Sequence, residues 1–157
     1  MSISLYAIDG LGQPPAAWWM LGHSVRTALG LDKFWSFDRD NPQIIRQMRA
    51  EPAGTKIIAI GHSLGAFAIC ELSKQVPIHA AALIEIVRPN WLTPWGWFGR
   101  HKPVACHAVH KASWSKLDGL PPACEVIGGV NDVADEDHNS IIAKVSPRIV
   151  EWLRGVV

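Results

Sequence analysis

The chain has 157 residues, 48% hydrophobic and 18% charged, enough to bury the core of one globular domain and too apolar for a disordered segment. Its formal net charge is +1 with no basic run or stripe, so the electrostatic footprint of a nucleic-acid or anionic-membrane binder is missing. Cys70, Cys106 and Cys124 are odd in number and lack paired ligand spacing, which argues against a disulfide framework or a zinc site.

The first residues, MSISLYAIDG, pass directly into an apolar segment without the basic start, long apolar core and cleavage site of a leader, so a cytoplasmic protein is expected. Residues 3–8 predict a short strand closed by Asp9-Gly10-Leu11-Gly12, and residues 15–29 have the length and composition of a helix. Residues 33–37 suit a second strand, after which Asp40-Asn41-Pro42 starts a helix over 43–51. Pro52-Ala53-Gly54 breaks the chain before a third strand over 56–60, and a helix over 64–75 stops ahead of Pro77. Residues 80–87 give a fourth strand.

Strands that are apolar without alternation are buried on both faces, and helical stretches separate them. This pattern predicts a doubly wound α/β domain, with a mostly parallel sheet of about six strands and helices on both faces. Residues 88–99 hold two prolines, two glycines and Trp91, Trp95 and Trp97, and read as a loop. Further strands are expected over 103–109 and 124–127, joined through a turn-rich 117–122. A last helix is expected over 140–153, kinked or restarted at Pro147. No window approaches the roughly 18 to 20 apolar residues of a membrane helix, and residues 1–157 read as a single domain without repeats.

The chemistry centres on the stretch AIGHSLG, residues 59–65. Glycine and serine together are ordinary loop punctuation. Here they follow an apolar strand and precede a helix, where a serine in a tight glycine-flanked turn is exposed, strained and close to backbone amides. A serine nucleophile also needs a neutral imidazole to take its proton, a carboxylate to orient that imidazole, and two amides for the developing oxyanion.

The run of strand, Gly61-His62-Ser63-Leu64-Gly65 and helix resembles the nucleophile elbow of the α/β-hydrolase superfamily of esterases, lipases and thioesterases. GHSLGA, followed by another small residue at Ala68, is especially similar to lipase and thioesterase elbows. The resemblance extends over most of the chain, because that superfamily also carries a glycine loop after an early strand and a histidine after the last one. It implies Ser63 as nucleophile and, among seven histidines, His138 as base, in Asp135-Glu136-Asp137-His138-Asn139-Ser140 between the last strand and last helix. An ordinary histidine at a helix entry is the competing explanation.

The acid is open between two residues. Asp132 lies in a strand-Gly-x-x-Asp-apolar segment, Ile127-Gly128-Gly129-Val130-Asn131-Asp132-Val133, that resembles the acid loop of many members; cutinase-like members also place acid and histidine close in sequence. Glu85 ends the strand directly after the elbow, where some lipases carry the acid, and an ionisable residue inside Ala-Leu-Ile-Glu-Ile-Val is otherwise costly. Asp118 is a weaker option. Asp132 is narrowly preferred.

The resemblance places the oxyanion donors at the amides of Leu64 and Leu11. Many relatives have His-Gly in the earlier loop, so Asp9 departs from the pattern while Gly10 keeps it. Trp18, Trp95 and Trp97 are candidate substrate contacts at the carboxyl ends of parallel strands. The chain is short for a separate cap domain, so the resemblance implies a minimal α/β-hydrolase acting on a small ester or thioester with an apolar portion, without metal or cofactor. The other class left open is a catalytically inactive hydrolase-like binding protein. Phosphate binding near Gly10 is disfavoured, since no Gly-x-Gly-x-x-Gly follows the first strand.

Overall fold

The apolar runs of the sequence become the central strands of a parallel sheet. The computed structural model describes residues 2–10, 16–31, 33–38, 40–85, 105–111, 130–134 and 140–157. In chain order the elements are β1 (Ile3–Asp9), α1 (Ala16–Ala28), β2 (Lys33–Asp38), α2 (Gln43–Arg49), β3 (Lys56–His62), α3 (Leu64–Leu72), β4 (Ala80–Ile84), β5 (Ala105–Lys111), β6 (Val130–Ala134) and α4 (Ile141–Val156). The sheet order is β2-β1-β3-β4-β5-β6, and every neighbouring pair is parallel. The expected α/β class with a parallel sheet is therefore observed.

The strand period of two divides the apolar side chains between two layers. Tyr6 and Ile8 of β1, Ile57 and Ala59 of β3, and Ala81 and Leu83 of β4 face α2 and α3, where Ile44, Met48, Ala66 and Ile69 close the first core. Leu5 and Ala7, Ile58 and Ile60, and Ala80, Ala82 and Ile84 face α1 and α4, where Trp18, Leu21, Val25, Ile142, Val145, Ile149 and Leu153 close the second. Each fully buried aliphatic side chain contributes about 1.5–3 kcal/mol relative to exposure, so central strands without polar interruptions are the cheapest ones to cover on both faces.

The order of the strands fixes where a ligand can enter. From β1 the chain steps to β2 on one side, then returns across β1 to β3 and proceeds to β4 on the other. Connections thus diverge between β1 and β3, the position outside whose carboxyl ends sheets of this kind bind ligands. Asp9-Gly10 and His62-Ser63 stand at that position.

Two elements differ from expectation, and a third expectation falls outside the described residues. The fourth strand stops at Ile84 rather than 87, because Glu85 adopts a positive φ of 46° that ends the extended run. The last helix neither restarts nor stops at Pro147, which lies inside α4. Its missing N–H removes one helical bond, but buried Ile141, Ile142 and Val145 before it and Ile149 and Leu153 after it dock both halves on the same core. The expected strand at 124–127 lies outside the described residues, and the strand pairing with β5 is β6, which begins at Val130.

A polar tie joins β1, β2 and the segment after α2. The buried Tyr6 hydroxyl donates to Glu51 Oε1 at 2.8 Å, and Lys33 Nζ lies 3.1 Å from Glu51 Oε2. Burial alone would raise the Glu51 carboxyl, but the hydrogen bonds from Tyr6 and Lys33 outweigh it and hold the group below its ordinary value. The stabilisation is therefore complete above the unfolded carboxylate range and lost as pH falls through the lowered folded value. Tyr6→Phe is expected to cost about 1.5–3 kcal/mol at pH 7, as for a hydrogen bond to a charged group. In denaturant titrations across pH, that difference should shrink as the pH falls below about 4; a pH-independent difference would contradict the tie.

Candidate active site

One residue turns the chain from β3 into α3. Ser63 has φ 58° and ψ −126°, a region that non-glycine residues avoid at a cost of about 1–3 kcal/mol. A serine before a helix ordinarily caps it through its hydroxyl. Ser63 makes no such side-chain bond, so capping does not explain the residue.

The surroundings over-determine the strained turn. The Ser63 N–H donates to the carbonyl of Ile84 at 3.0 Å, fastening the elbow to the end of β4. A Cβ on Gly65 would collide with the carbonyl of Ile8 and lie 2.6 Å from that of Asp9. A Cβ on Gly61 would lie 2.6 Å from Ala66 Cα. The two glycines flanking the turn thus let α3 sit directly against the ends of β1 and β3. Its first-turn amides, beginning with Leu64, have no partners within the helix and carry the positive end of its dipole.

Over the serine passes the end of β1. A Cβ on Gly10 would stand 2.9 Å from Ser63 Cβ and 3.2 Å from Oγ, so only glycine lets the strand end approach the hydroxyl this closely. The Gly10 N–H donates to Asp9 Oδ1 at 2.8 Å, which commits that amide. Leu11, His138, Asp118, Trp95 and Trp97 lie outside the described residues.

Glu85 follows Ile84, the residue bonded to the elbow, and is fully buried. Ser63 and Glu85 are the two non-glycine residues with positive φ among the described residues, and they lie at the ends of adjacent strands. Asp132 was expected beyond a strand end but sits within β6, in register with Val109 of β5. With neighbouring strands about 4.8 Å apart, β4 is one step from the strand carrying the nucleophile, whereas β6 is three steps, roughly 14 Å, away.

Trp18 belongs to the core, 1% exposed, with its ring 6.3 Å from that of His62. The exposed apolar residues at this end of α1 are its neighbours, Trp19 at 44% and Met20 at 68%. Sequence reasoning also missed Asp9 with His62: both are buried, and His62 Nδ1 lies 3.6 Å from Asp9 Oδ1. Their positions as the last residues of two apolar strands were the available signal. Among the described residues no three His, Cys, Asp or Glu side chains gather as a metal-ligand set, and no helix is long and apolar enough to cross a membrane.

No protein-family model and no curated protein matches the sequence. Solved structures do match in shape. A protein of Xanthomonas campestris assigned to the alpha/beta hydrolase superfamily superposes with a TM-score of 0.71 at 17% identity, covering 99% of both chains. A methylesterase from Arabidopsis gives 0.58 at 13% identity, covering 97% of this chain and 98% of its own. Tomato methylketone synthase I, in complex with 2-tridecanone, gives 0.58 at 12% identity over the whole of both chains. The chain has the α/β-hydrolase fold.

The strain at Ser63 can be read in stability. Ser63→Gly removes the Cβ that opposes positive φ and should raise the unfolding free energy by about 1 kcal/mol, while Ser63→Ala keeps the Cβ and should stay within about 0.5 kcal/mol of wild type. Equal stabilities for the two variants in chemical denaturation would show that the turn stores no strain.

Proposed function

We propose that this protein is a serine hydrolase that cleaves a carboxylic ester or thioester through an acyl-enzyme on Ser63. The observation carrying this reading is the strained, uncapped turn that holds Ser63 against Gly10 at the switch point of the sheet. The parallel sheet fits the minimal, single-domain α/β-hydrolase expected from the sequence, and the cytoplasmic location expected there belongs to the same reading.

The reaction follows from the parts. His138, the base expected from the sequence, takes the Ser63 proton as Oγ attacks the substrate carbonyl carbon. The carbonyl oxygen becomes an oxyanion held by the amides of Leu64 and Leu11; a single donor of this kind contributes about 3–4 kcal/mol to the transition state. Collapse of the tetrahedral intermediate breaks the bond to the alkoxide or thiolate, which leaves with the proton from His138. Water then attacks the acyl-enzyme by the same route in reverse, releasing the acid and restoring the serine.

For the acid we favour Glu85 over Asp132. Glu85 is buried, and it follows the residue whose carbonyl holds the Ser63 N–H, whereas Asp132 lies inside a strand three steps from β3. Substrate with an apolar portion is supported by exposed Trp19 and Met20 at the start of α1, with Trp95 and Trp97 from the loop after β4 as further contacts. Trp18 would act behind them, as support. Names among the structural neighbours, a methylesterase and an enzyme holding 2-tridecanone, fit an ester chemistry with apolar ligands.

A fluorophosphonate probe should label the wild-type protein and leave Ser63→Ala unlabelled; equal labelling of both, or of neither, would overturn the assignment of the nucleophile. In hydrolysis assays on short-chain nitrophenyl esters, Glu85→Gln should lower kcat by about 10³–10⁴-fold, as loss of a triad acid does, and Asp132→Asn should stay within about threefold of wild type. The reverse order would assign the acid to Asp132.

A further inference from the structure

We propose that Asp9 and His62 form a positioning pair that sets Gly10, at the end of β1, against the nucleophile elbow, an assignment that rests on the hydrolase reading of Ser63. Asp9 is the last residue of β1 and His62 the last of β3. The register pairs Ile8 with Gly61, so the two residues that follow stand side by side at the carboxyl ends of the two strands.

A buried carboxylate is expensive, and a buried polar pair is weak evidence for stability as such. Asp9 is 5% exposed and His62 3% exposed. The carboxylate uses Oδ1 to accept the Gly10 N–H at 2.8 Å, a charge-assisted bond, and the same oxygen faces His62 Nδ1 at 3.6 Å. On another side the Trp18 indole stands 6.3 Å from the imidazole, tilted by 44°, so the ring has a defined orientation between an acid and a wall.

Gly10 is where such a constraint has an effect. Glycine is required there because any Cβ would press on Ser63, yet glycine leaves the backbone free to rotate. Tying its N–H to Asp9 fixes the plane of the peptide between residues 9 and 10, and with it the face that Gly10 turns to Ser63. His62 is joined directly to Ser63. One buried contact therefore links the end of β1 with the residue that supplies the nucleophile, and sets the distance between Gly10 and Ser63. Misplacing a reacting group by about 1 Å can cost about 10²-fold in rate.

The test separates positioning from folding by measuring kcat and KM on the full chain, with active sites counted by the end point of fluorophosphonate labelling. Asp9→Ala, which removes the acceptor, should lower kcat by at least about tenfold with KM within about twofold, the pattern of an interaction that matters in the transition state. Asp9→Asn, which retains an oxygen for the Gly10 N–H, should stay within about threefold of wild type. If Asp9→Ala does not fold, His62→Gln carries the test: kcat should fall by at least about fivefold at unchanged KM. Wild-type kcat per site in Asp9→Ala, or in His62→Gln, or equal losses in Asp9→Ala and Asp9→Asn, would overturn the positioning role alone. Absence of Ser63-dependent turnover in the wild type would remove the hydrolase reading and the positioning role together.

Discussion

The bond from the Ser63 N–H to the carbonyl of Ile84 is the contact on which the arrangement depends. It holds a serine at positive φ, where an isolated chain would relax to ordinary extended or helical backbone. Because the turn is closed in one residue, α3 starts immediately at the carboxyl end of β3, and its first-turn amides, which have no partners within the helix, follow the serine directly. Gly61 and Gly65 remove the two side chains that would push the helix away. The strain is local, and the two apolar layers on either side of the sheet are what it is held against.

Topology supplies the second half of the site. The connections diverge between β1 and β3, and the end of β1 lies over the elbow at Gly10. Asp9 and His62 then meet for the same reason that Gly10 and Ser63 do: adjacent parallel strands in a fixed register end at one level. A residue pair 53 positions apart in the chain would have no reason to associate without that pairing.

Much of this was legible in the sequence for a physical reason. Strands buried on both faces must be apolar throughout, so the cores of β1, β3 and β4 are visible as uninterrupted runs, and the glycine-flanked serine marks a turn that few residues can make. The edges were less legible. β6 carries Asn131 and Asp132 and among the described residues pairs with β5 alone, so nothing in Val130–Ala134 requires an apolar run, and the acid-bearing segment reads as a loop. Pro147 reads as a break because sequence shows its missing hydrogen bond and not the buried residues on both sides that hold α4 together. Trp18 was assigned to the substrate and Trp19 was not, although one position on a helix reverses which of two tryptophans faces the core. The Asp9 and His62 contact depends on strand register, which residue identities alone do not give.

The central claim is chemical: the hydroxyl at the strained turn becomes covalently acylated. The most direct measurement is peptide mass mapping after a brief incubation with an excess of an activated ester such as nitrophenyl butyrate, stopped by acid. A butyryl group on the peptide containing Ser63 is the expected result. Turnover of the ester with that peptide unmodified and the acyl group on another residue would contradict the account.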